Sequence, residues 1–441
     1  MQNTMQYESK PGYEKPSRWP NWLWDRIVAL RRGRLRGRPW SRVDVPTQVA
    51  TIPSMISHEE RQYLIWLTET QAEGWGAIVD LGPWLGASSA ALAEGVRRRG
   101  ARTRIQSFDC FKWVRAYMES QAPLNLPDGV DFLQEFLRQV GDYRAWIEPH
   151  VQDLTSYRWS EGPIEILFVD AAKSWDLLNA ILTGFGDALV PGRSRVVFQD
   201  FRYHMTHWLP LVTDSRPDVW AEVENVGSGS TVTFMPLKPL YGPGGLSPRY
   251  VEADFPLEKA EPLLRRRMAK EGAGYRNLYL RTLYRKCLIE RPFEEARGIK
   301  VELLADRGLT LSDEELALIE DVSGLGWELI QRGDYAHAQR LATNSLARGC
   351  RSQNALAVLA LAYLRQNQLE AAEVLFEELL DRYPHYAHGR LHRATLRIAQ
   401  GRFDEAADDL ERVSGVGQPD EATMRWCQRL QGALAEVRNP V

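Results

Sequence analysis

Cysteine is scarce in this chain, and long apolar runs are missing. The four cysteines, Cys110, Cys287, Cys350 and Cys427, are far apart and form no CxxC pair. This spacing argues against a zinc site and a disulfide framework, and it fits a reducing compartment. No apolar run approaches the roughly 18 residues that a membrane-spanning helix needs, and the N-terminus lacks the apolar core of a signal peptide. We therefore expect a soluble, cytoplasmic protein.

A strong charge excess is also missing. The formal net charge of the 441 residues is −3 at pH 7, so no overall field favours nucleic acid and no nucleic-acid partner is expected. The local exception is the arginine-rich segment 18–40, in which Leu23, Ile27 and Leu30 recur at helical spacing. Such a basic amphipathic helix could make peripheral contact with an anionic membrane, or it could pack on the main domain. The sequence leaves both interpretations open.

The glycine patterns of nucleotide-binding proteins are missing as well. The P-loop pattern GxxxxGK[ST] is absent. The stretch "AIVDLGPWLGASSAALAEGV", residues 77–96, is typical of a strand, a glycine turn and a helix, but its glycines Gly82 and Gly86 have G-x-x-x-G spacing with Pro83 and Trp84 between them. The dinucleotide pattern G-x-G-x-x-G has a further glycine that lets the backbone approach a pyrophosphate. A nicotinamide oxidoreductase is therefore disfavoured.

Short runs, several of them strongly apolar, alternate with helical stretches in the middle of the chain. They are residues 77–80, 105–109, 147–153, 164–170 and 195–200, followed by the turn-linked segments 219–226 and 230–237. Strands alternating with helices are typical of a parallel sheet that is covered on both faces. The last two segments are typical of a hairpin. The pattern predicts an α/β fold, with a Rossmann-like, mostly parallel sheet that ends in an antiparallel hairpin.

All five of the first runs end in aspartate: Asp80, Asp109, Asp153, Asp170 and Asp200. Ligands of open α/β sheets bind beyond the carboxyl ends of the strands. Any one of these aspartates could instead cap a helix or close a turn. Five in succession weaken that alternative, so we regard the row as a candidate binding site.

The last 120 or so residues contain an internal repeat. Three sets of residues recur at a spacing of 34, namely Ala338, Ala372 and Ala406, then Gly333, Asn367 and Gly401, then Tyr335, Leu369 and Phe403. A small residue lets two helices approach each other, and glycine or asparagine allows the turn between them. The pattern resembles the tetratricopeptide repeat over about residues 320–437. Such arrays usually recruit a protein partner or drive self-association, so we expect an all-α repeat domain with one of these roles.

The motifs "VDLGPWLGASSAALA", "SFDCF", "FVDAAKSWD" and "VVFQDF" occur in that order between residues 60 and 235. Together they resemble the class I S-adenosylmethionine-dependent methyltransferases, within them the macrocin O-methyltransferase type, which acts on small-molecule and sugar hydroxyls. The resemblance implies S-adenosylmethionine as the cofactor and a small-molecule or glycan acceptor. The cofactor carries no phosphate, in agreement with the missing P-loop.

The resemblance also implies roles for particular residues. Asp80 would help to hold the cofactor's ammonium, directly or through water, and Asp109 would bind the ribose hydroxyls. Gly82 and Gly86 would let the backbone approach the methionine moiety. Ser88 could bond the cofactor carboxylate at the helix N-terminus or cap the helix. Asp153 matches a position near the adenine.

On the acceptor side, the resemblance implies that Asp170 and Asp200 hold Mg²⁺, which would lower the pKa of the acceptor hydroxyl. The resembled enzymes often have two acidic residues at the second position, where this chain has Gln199 and Asp200. Their pattern DGxH becomes "DAAKS" here, with Lys173 in the place of the histidine. Lys173 could act as a base if its pKa were lowered, or it could pair with the aspartates and oppose metal binding.

Histidines and aromatic residues follow the fifth run, and they add further candidates. His204 is the preferred catalytic base or indirect metal partner, whereas His207 is more typical of a structural histidine. Trp175, Tyr203 and Trp208 could form an aromatic wall for the acceptor, or they could belong to the core.

The sequence thus predicts four segments. They are an N-terminal tail and basic helix (1–50), a methyltransferase-like domain (51–240), a helical connector (241–319) and tetratricopeptide-like repeats (320–441). The expected activity is S-adenosylmethionine-dependent O-methylation, with catalytic roles for Asp170, Lys173 and His204. The alternative is a scaffold with a degenerate methyltransferase fold, which would act through its repeats.

Overall fold

The computed structural model describes residues 38–119, 121–203, 206–227, 229–271, 273–291, 293–306, 319–331, 333–347, 351–414 and 421–438. The predicted basic helix around Ile27 and the candidate base His204 lie outside these residues. The chain divides into two compact units, Met1–Tyr279 and Leu280–Val441. Each unit has its own buried apolar core.

The first unit contains a single seven-stranded sheet. Its strands are β1 (Ala77–Leu81), β2 (Ile105–Asp109), β3 (Ile147–Val151), β4 (Ile164–Val169), β5 (Arg195–Phe198), β6 (Trp220–Asn225) and β7 (Val232–Pro236). Their order in the sheet is β3-β2-β1-β4-β5-β7-β6. Strands β1 to β5 run parallel, whereas β7 pairs antiparallel with both β5 and β6. The predicted fold class is therefore confirmed.

The same unit contains helices. They are α1 (Thr47–Ala50), α2 (His58–Trp66), α3 (Ala87–Arg98), α4 (Arg115–Met118), α5 (Leu133–Val140), α6 (Trp175–Phe185), α7 (Trp208–Ser215) and α8 (Leu257–Glu271), while α9 (Ala273–Glu290) spans the division between the units. Every residue of β4 is buried, as expected for a central parallel strand with helices on both faces. Helix α6 begins where the Ser174 hydroxyl accepts the Leu177 N–H at 3.1 Å, a normal N-cap. No described helix is long and apolar enough to cross a membrane.

The strand order reverses between β1 and β4. From β1 the chain first adds β2 and β3 on one side, and it later adds β4 and β5 on the other. Ligands of open α/β sheets bind at such a reversal, beyond the carboxyl ends of the strands. Asp80 and Asp109 lie within their strands, Asp170 directly follows β4, and Asp153 and Asp200 lie two residues after the ends of β3 and β5. The topology therefore brings Asp80 and Asp170 to the edge where a ligand is expected.

The first compact unit continues beyond residue 240, into the segment that the sequence predicts as a connector. The Tyr250 N–H donates to Asn179 Oδ1 at 2.8 Å, and Asn179 Nδ2 donates to the Tyr250 carbonyl at 2.7 Å. On helix α8, the buried Arg267 pairs with Asp214 (Nε to Oδ2, 2.8 Å) and with Glu222. These contacts fasten residues 250–271 to the sheet unit.

The second unit is entirely helical over its described residues. Its helices after α9 are α10 (Phe293–Asp306), α11 (Ile319–Gln331), α12 (Tyr335–Ala347), α13 (Gln353–Arg365), α14 (Leu369–Arg382), α15 (Ala387–Ala399), α16 (Phe403–Ser414) and α17 (Glu421–Arg438). From α11 to α16 they form three consecutive helix pairs with a common spacing. The predicted all-α repeat domain is therefore confirmed.

The repeated residues have the structural roles that their types predict. Ala338, Ala372 and Ala406 have no exposed surface, because the paired helices approach each other closely at these positions. The turn residues Gly333, Asn367 and Gly401 have φ values of +76°, +59° and +76°. Glycine and asparagine tolerate this left-handed conformation better than other residues, which explains why only these two types occur at the three turns.

Candidate functional site

Asp80 is the most buried carboxylate of the strand-end row. Its side chain has no exposed surface, and its Oδ2 accepts hydrogen bonds from Ser88 Oγ at 2.8 Å and Ser89 Oγ at 2.6 Å. The hydroxyl of Ser89 also lies 2.8 Å from that of Ser107 on β2. The other oxygen, Oδ1, is buried and has no hydrogen-bond partner among the described residues. Burial raises the pKa of Asp80 to about 7, although the two serine hydroxyls oppose the shift.

Ser88 does not cap helix α3, and its contact with the cofactor carboxylate stays a prediction. Its hydroxyl donates to Asp80, and the N-cap position of helix α3 belongs to Gly86, which has a φ of +97° and makes no side-chain cap. This hydrogen bond helps to hold the Asp80 carboxylate in place.

The turn between β1 and α3 needs glycine because other parts of the chain pack closely against it. A Cβ at Gly86 would lie 2.3 Å from Val140 Cγ1, and a Cβ at Gly82 would lie 3.2 Å from the Ala171 nitrogen. Gly82 has a φ of +83°, which side chains rarely allow. The two glycines thus let the turn pass close to α5 and to the end of β4. This packing places the turn between the carboxyl ends of β1 and β4.

Asp109 lies at the end of β2, next to β1. Its Oδ1 accepts the Phe111 N–H at 2.8 Å. Burial raises the pKa of Asp109, and the hydrogen bond from Phe111 partly opposes this shift. The pKa of Asp80 is raised further by the charges of Asp170 and Asp109, so these three carboxylates form one electrostatic group.

Asp153 has a different environment. It is exposed, and its Oδ1 accepts the N–H of Thr155 at 2.9 Å and the Thr155 hydroxyl at 2.7 Å. These hydrogen bonds lower the pKa of Asp153. In the structure Asp153 closes a local turn, and its predicted contact with adenine stays a prediction.

Lys173 connects the ends of β4 and β5. Its Nζ lies 2.5 Å from Asp170 Oδ1 and 2.6 Å from Asp200 Oδ2. Burial lowers the pKa of Lys173, but the two carboxylates outweigh this effect, and the net shift is upward. A lysine that acts as a base needs the opposite shift. Of the two roles considered from the sequence, the structure therefore shows the ion pair.

Asp170 remains a candidate proton acceptor. Burial raises the pKa of Asp170, Lys173 opposes that shift, and the neighbouring carboxylate of Asp200 adds to it. The net shift is upward because burial, together with the charge of Asp200, outweighs the effect of the ammonium that the two carboxylates share. A raised carboxylate pKa is what a general base near neutral pH requires.

The residues at this end of the sheet do not fit a divalent cation. Both predicted ligands, Asp170 and Asp200, already bind the ammonium of Lys173. No group of three or more His, Cys, Asp or Glu side chains that could hold a metal occurs within the part of the chain that the structure describes. Gln199 is buried, and its Oε1 has no partner among those same residues. The Mg²⁺ expected from the resemblance is thus not supported.

An aromatic wall follows the end of β4, and it includes a carboxylate that sequence reasoning missed. Glu252 Oε2 accepts Trp175 Nε1 at 2.8 Å and lies 2.8 Å from His207 Nε2. The ring of Trp175 stacks on Phe255 at 5.7 Å. Trp208 Nε1 donates to the Ala172 carbonyl at 2.8 Å, which holds this group against the segment that carries Lys173. No signal in the sequence points to Glu252, because it lies 77 residues from Trp175.

Comparisons with known proteins give family matches within the second unit and structural similarities for about half of the chain. Tetratricopeptide repeat models match residues 324–387 and 363–424. No curated protein matches the chain significantly. The chain is similar to CalS11, a TDP-rhamnose 3'-O-methyltransferase of calicheamicin biosynthesis, at 14% identity over 51% of this chain and 96% of that one, with a TM-score of 0.31. It is also similar to SAH-bound PaMTH1, a Podospora anserina methyltransferase, at 14% identity over 52% of this chain and 99% of that one, with a TM-score of 0.28.

Proposed function

We propose that the sheet unit is an S-adenosylmethionine-dependent methyltransferase that acts on a hydroxyl of a small molecule or glycan, and that the repeats bind a protein partner or a second copy of the chain. The observation that carries the proposal is Asp80. It is a fully buried carboxylate at the reversal of strand order, and its Oδ1 lacks a hydrogen-bond donor from any described residue. A buried acceptor without a donor costs about 1–3 kcal/mol, so this oxygen suits a cationic donor from outside the chain.

The residues around Asp80 fit the parts of S-adenosylmethionine. Asp80 would receive the ammonium, directly or through a water, and Asp109 would receive the ribose hydroxyls at the end of the neighbouring strand. The turn at Gly82 lies between these carboxylates and the end of β4. The cofactor supplies an electrophilic methyl group, while the chain fixes the position of that group relative to the acceptor.

The acceptor side fits a hydroxyl. Lys173 is held as an ammonium by two carboxylates, and its side chain is half-exposed, so it can donate a hydrogen bond to the acceptor oxygen. Such a bond stabilises negative charge on that oxygen as its proton leaves. The carboxylate of Asp170, with its raised pKa, would take up the proton. Trp175 would provide an apolar surface, and His207 a polar group, for the rest of the acceptor molecule.

Calorimetry on the full chain tests the proposal. S-adenosylmethionine and S-adenosylhomocysteine should bind the wild type, and Asp109→Asn should weaken both by about 10-fold or more, because a hydrogen bond to a charged group contributes about 1.5–3 kcal/mol. The matched control is Asp381→Asn, the same chemical change at an exposed position of the repeat unit, which should leave binding unchanged. If neither ligand binds the wild type, the enzyme interpretation fails and the scaffold interpretation takes its place. NAD binding instead would indicate a nicotinamide enzyme.

A further inference from the structure

We propose that Lys173 is a built-in cation that takes the place of a divalent metal between the strand-end carboxylates, and that removal of its side chain uncovers a latent divalent-cation site. The part of this proposal that concerns the reaction rests on the proposed function. The part that concerns cation binding does not, because it follows from the geometry of Lys173, Asp170 and Asp200 alone.

The sheet itself directs the two carboxylates toward one point. Asp170 follows β4 and Asp200 follows β5, and these strands are neighbours. The Asp170 N–H donates to the Leu81 carbonyl at 2.9 Å, and the Gln199 N–H donates to the Val169 carbonyl at 3.0 Å. These hydrogen bonds continue the sheet pairing to the residues that carry or precede the carboxylates. The backbone therefore sets the spacing of the two carboxylates independently of Lys173.

Asp200 is held in an uncommon conformation. Its φ is +57°, which non-glycine residues adopt rarely and often at functional sites. Its carbonyl accepts the Tyr203 N–H at 2.9 Å and also the hydroxyl of Thr206. These contacts hold the backbone in a conformation that presents the side chain to Lys173, and the carboxylate should keep its position when the lysine is removed.

Lys173 is likewise fixed by its surroundings. Its N–H donates to the Ala171 carbonyl at 2.8 Å, and the next residue, Ser174, caps helix α6. The ammonium is thus tethered within 2.6 Å of both carboxylates. A tethered cation has a high effective concentration, so dissolved Mg²⁺ competes poorly with it for the same oxygens.

The charge and the hydrogen-bond donors of Lys173 also suit it to the place of a metal ion. Mg²⁺ is commonly bound by one or two carboxylates together with water and substrate oxygens, and such a metal would present its open positions to the acceptor. The ammonium of Lys173 has three N–H donors, of which the two carboxylates receive two. The half-exposed side chain leaves the third for an acceptor oxygen. Lys173 would then provide one positive charge and one fixed hydrogen bond where a metal provides two charges.

Titration of the full-length protein with Mn²⁺, followed by the electron paramagnetic resonance signal of the free ion, tests this proposal. The wild type should bind no Mn²⁺ at this site, and Lys173→Ala should gain one ion with a Kd on the order of 0.1–1 mM, as for weak carboxylate sites. The matched control Lys173→Arg keeps the positive charge and should gain no ion. The double variant Lys173→Ala/Asp200→Asn should lose the gained site, which would locate the ion between the strand ends.

Two results would overturn the proposal. One is Mn²⁺ binding to the wild type as tightly as to Lys173→Ala and with the same dependence on Asp200. The other is no gain of binding in a Lys173→Ala protein that keeps the circular dichroism spectrum of the wild type. If that variant does not fold, Lys173→Ser also removes the ammonium between Asp170 and Asp200. The absence of a gain in Mn²⁺ binding by folded Lys173→Ser would then overturn the proposal.

S-adenosylmethionine binding, measured on the same samples, separates this proposal from the proposed function. A gained Mn²⁺ site without cofactor binding would support the built-in cation and refute the methyltransferase. Cofactor binding without a gained Mn²⁺ site would support the methyltransferase and refute the built-in cation. In a methyl-transfer assay, EDTA should leave wild-type turnover unchanged, whereas turnover that EDTA abolishes would contradict the role of Lys173.

Discussion

Among the residues that the structure describes, two aspartates, one in each unit, have no exposed surface, and they are stabilised in different ways. In the repeat unit, Asp409 accepts two hydrogen bonds from Arg393 (2.9 and 2.7 Å) and one from Arg397 (2.7 Å), with Arg390 at 3.7 Å. In the sheet unit, Asp80 accepts only serine hydroxyls. A buried charge needs a partner of opposite sign. Asp409 has positively charged partners within the chain. The side chains that hydrogen-bond to Asp80 are uncharged serines.

The difference accords with a structural role for Asp409 and with the ligand contact that we propose for Asp80. Asp409 joins helices α15 and α16 of one repeat, and its charge is fully used there. Asp80 keeps an oxygen that no described residue satisfies, which is unfavourable for the protein alone and favourable for a cationic ligand. Asp170 and Asp200 lie between these cases, because they share one ammonium. This comparison leads to four predictions, given from the largest expected effect to the smallest.

Loss of Asp409 should have the largest effect. Asp409→Ala removes the carboxylate that both Arg393 and Arg397 bind and leaves Arg397 with its contact to Glu405 at 3.6 Å. Breaking a buried ion pair costs about 3–5 kcal/mol. We expect the free energy of unfolding of the repeat unit to fall by about that amount. Guanidinium denaturation of the full chain, followed by circular dichroism, measures it. A loss below about 1 kcal/mol, the value of a surface pair, would show that the arginines do not need Asp409.

Asp80 should make the stability of the cofactor-free protein depend on pH. The folded-state pKa of Asp80 is raised to about 7, whereas an unfolded aspartate has a pKa of about 3.9. The contribution of Asp80 to the free energy of unfolding is therefore greatest below about pH 4, falls as the pH rises toward 7, and is lowest above that. The difference of about three units between the two pKa values sets an upper bound of about 4 kcal/mol on this change in the free energy of unfolding. Asp80→Asn should remove this dependence, so the variant should exceed the wild type in thermal stability at pH 8 and equal it near pH 4.

The same variant should have the opposite effect on cofactor binding. Without the charge of Asp80, the affinity for S-adenosylmethionine should fall by about 10- to 150-fold, equivalent to a charged hydrogen bond of about 1.5–3 kcal/mol. Isothermal titration calorimetry measures this loss. Ser88→Ala is the matched control, because it removes one hydroxyl donor but keeps the carboxylate, and its effect should be smaller. Equal losses in both variants would mean that the shape of the site matters more than its charge.

Asp153 should have the smallest effect. It is exposed and bonded to its own turn, so Asp153→Asn should change the free energy of unfolding by less than about 0.5 kcal/mol, as is usual for surface substitutions. Its affinity for S-adenosylmethionine should equal that of the wild type in the same calorimetric titration. A loss of affinity comparable with that of Asp80→Asn would instead support the contact with adenine that the resemblance implies.

Much of the fold could be predicted from the sequence. The sequence predicts the strands that carry Asp80 and Asp109 to within one residue, since a short apolar run that ends in a polar turn is a local signal. It predicts the ends of the strands before Asp153 and Asp200 two residues too late, because backbone pairing in the sheet, and not residue type, decides where a strand ends. The candidate site can be predicted only in part. The positions of Asp80 and Asp170 in the sequence indicate a site, but no signal points to Glu252.

The sequence by itself determined the α/β alternation, the aspartates at the strand ends and the 34-residue repeat, because apolar periodicity and turn-forming residues act over a few neighbours along the chain. Only the tertiary structure decided what those residues contact. It turned Ser88 onto Asp80, placed Lys173 between Asp170 and Asp200, and brought Glu252 to Trp175. Lys173 meets Asp200 because β4 and β5 are neighbours in the sheet. Glu252 meets Trp175, 77 residues away, because the segment that carries Tyr250 is hydrogen-bonded to helix α6. The same strand-end aspartate can therefore be a ligand site or an ion pair, depending on the donors that folding brings to it.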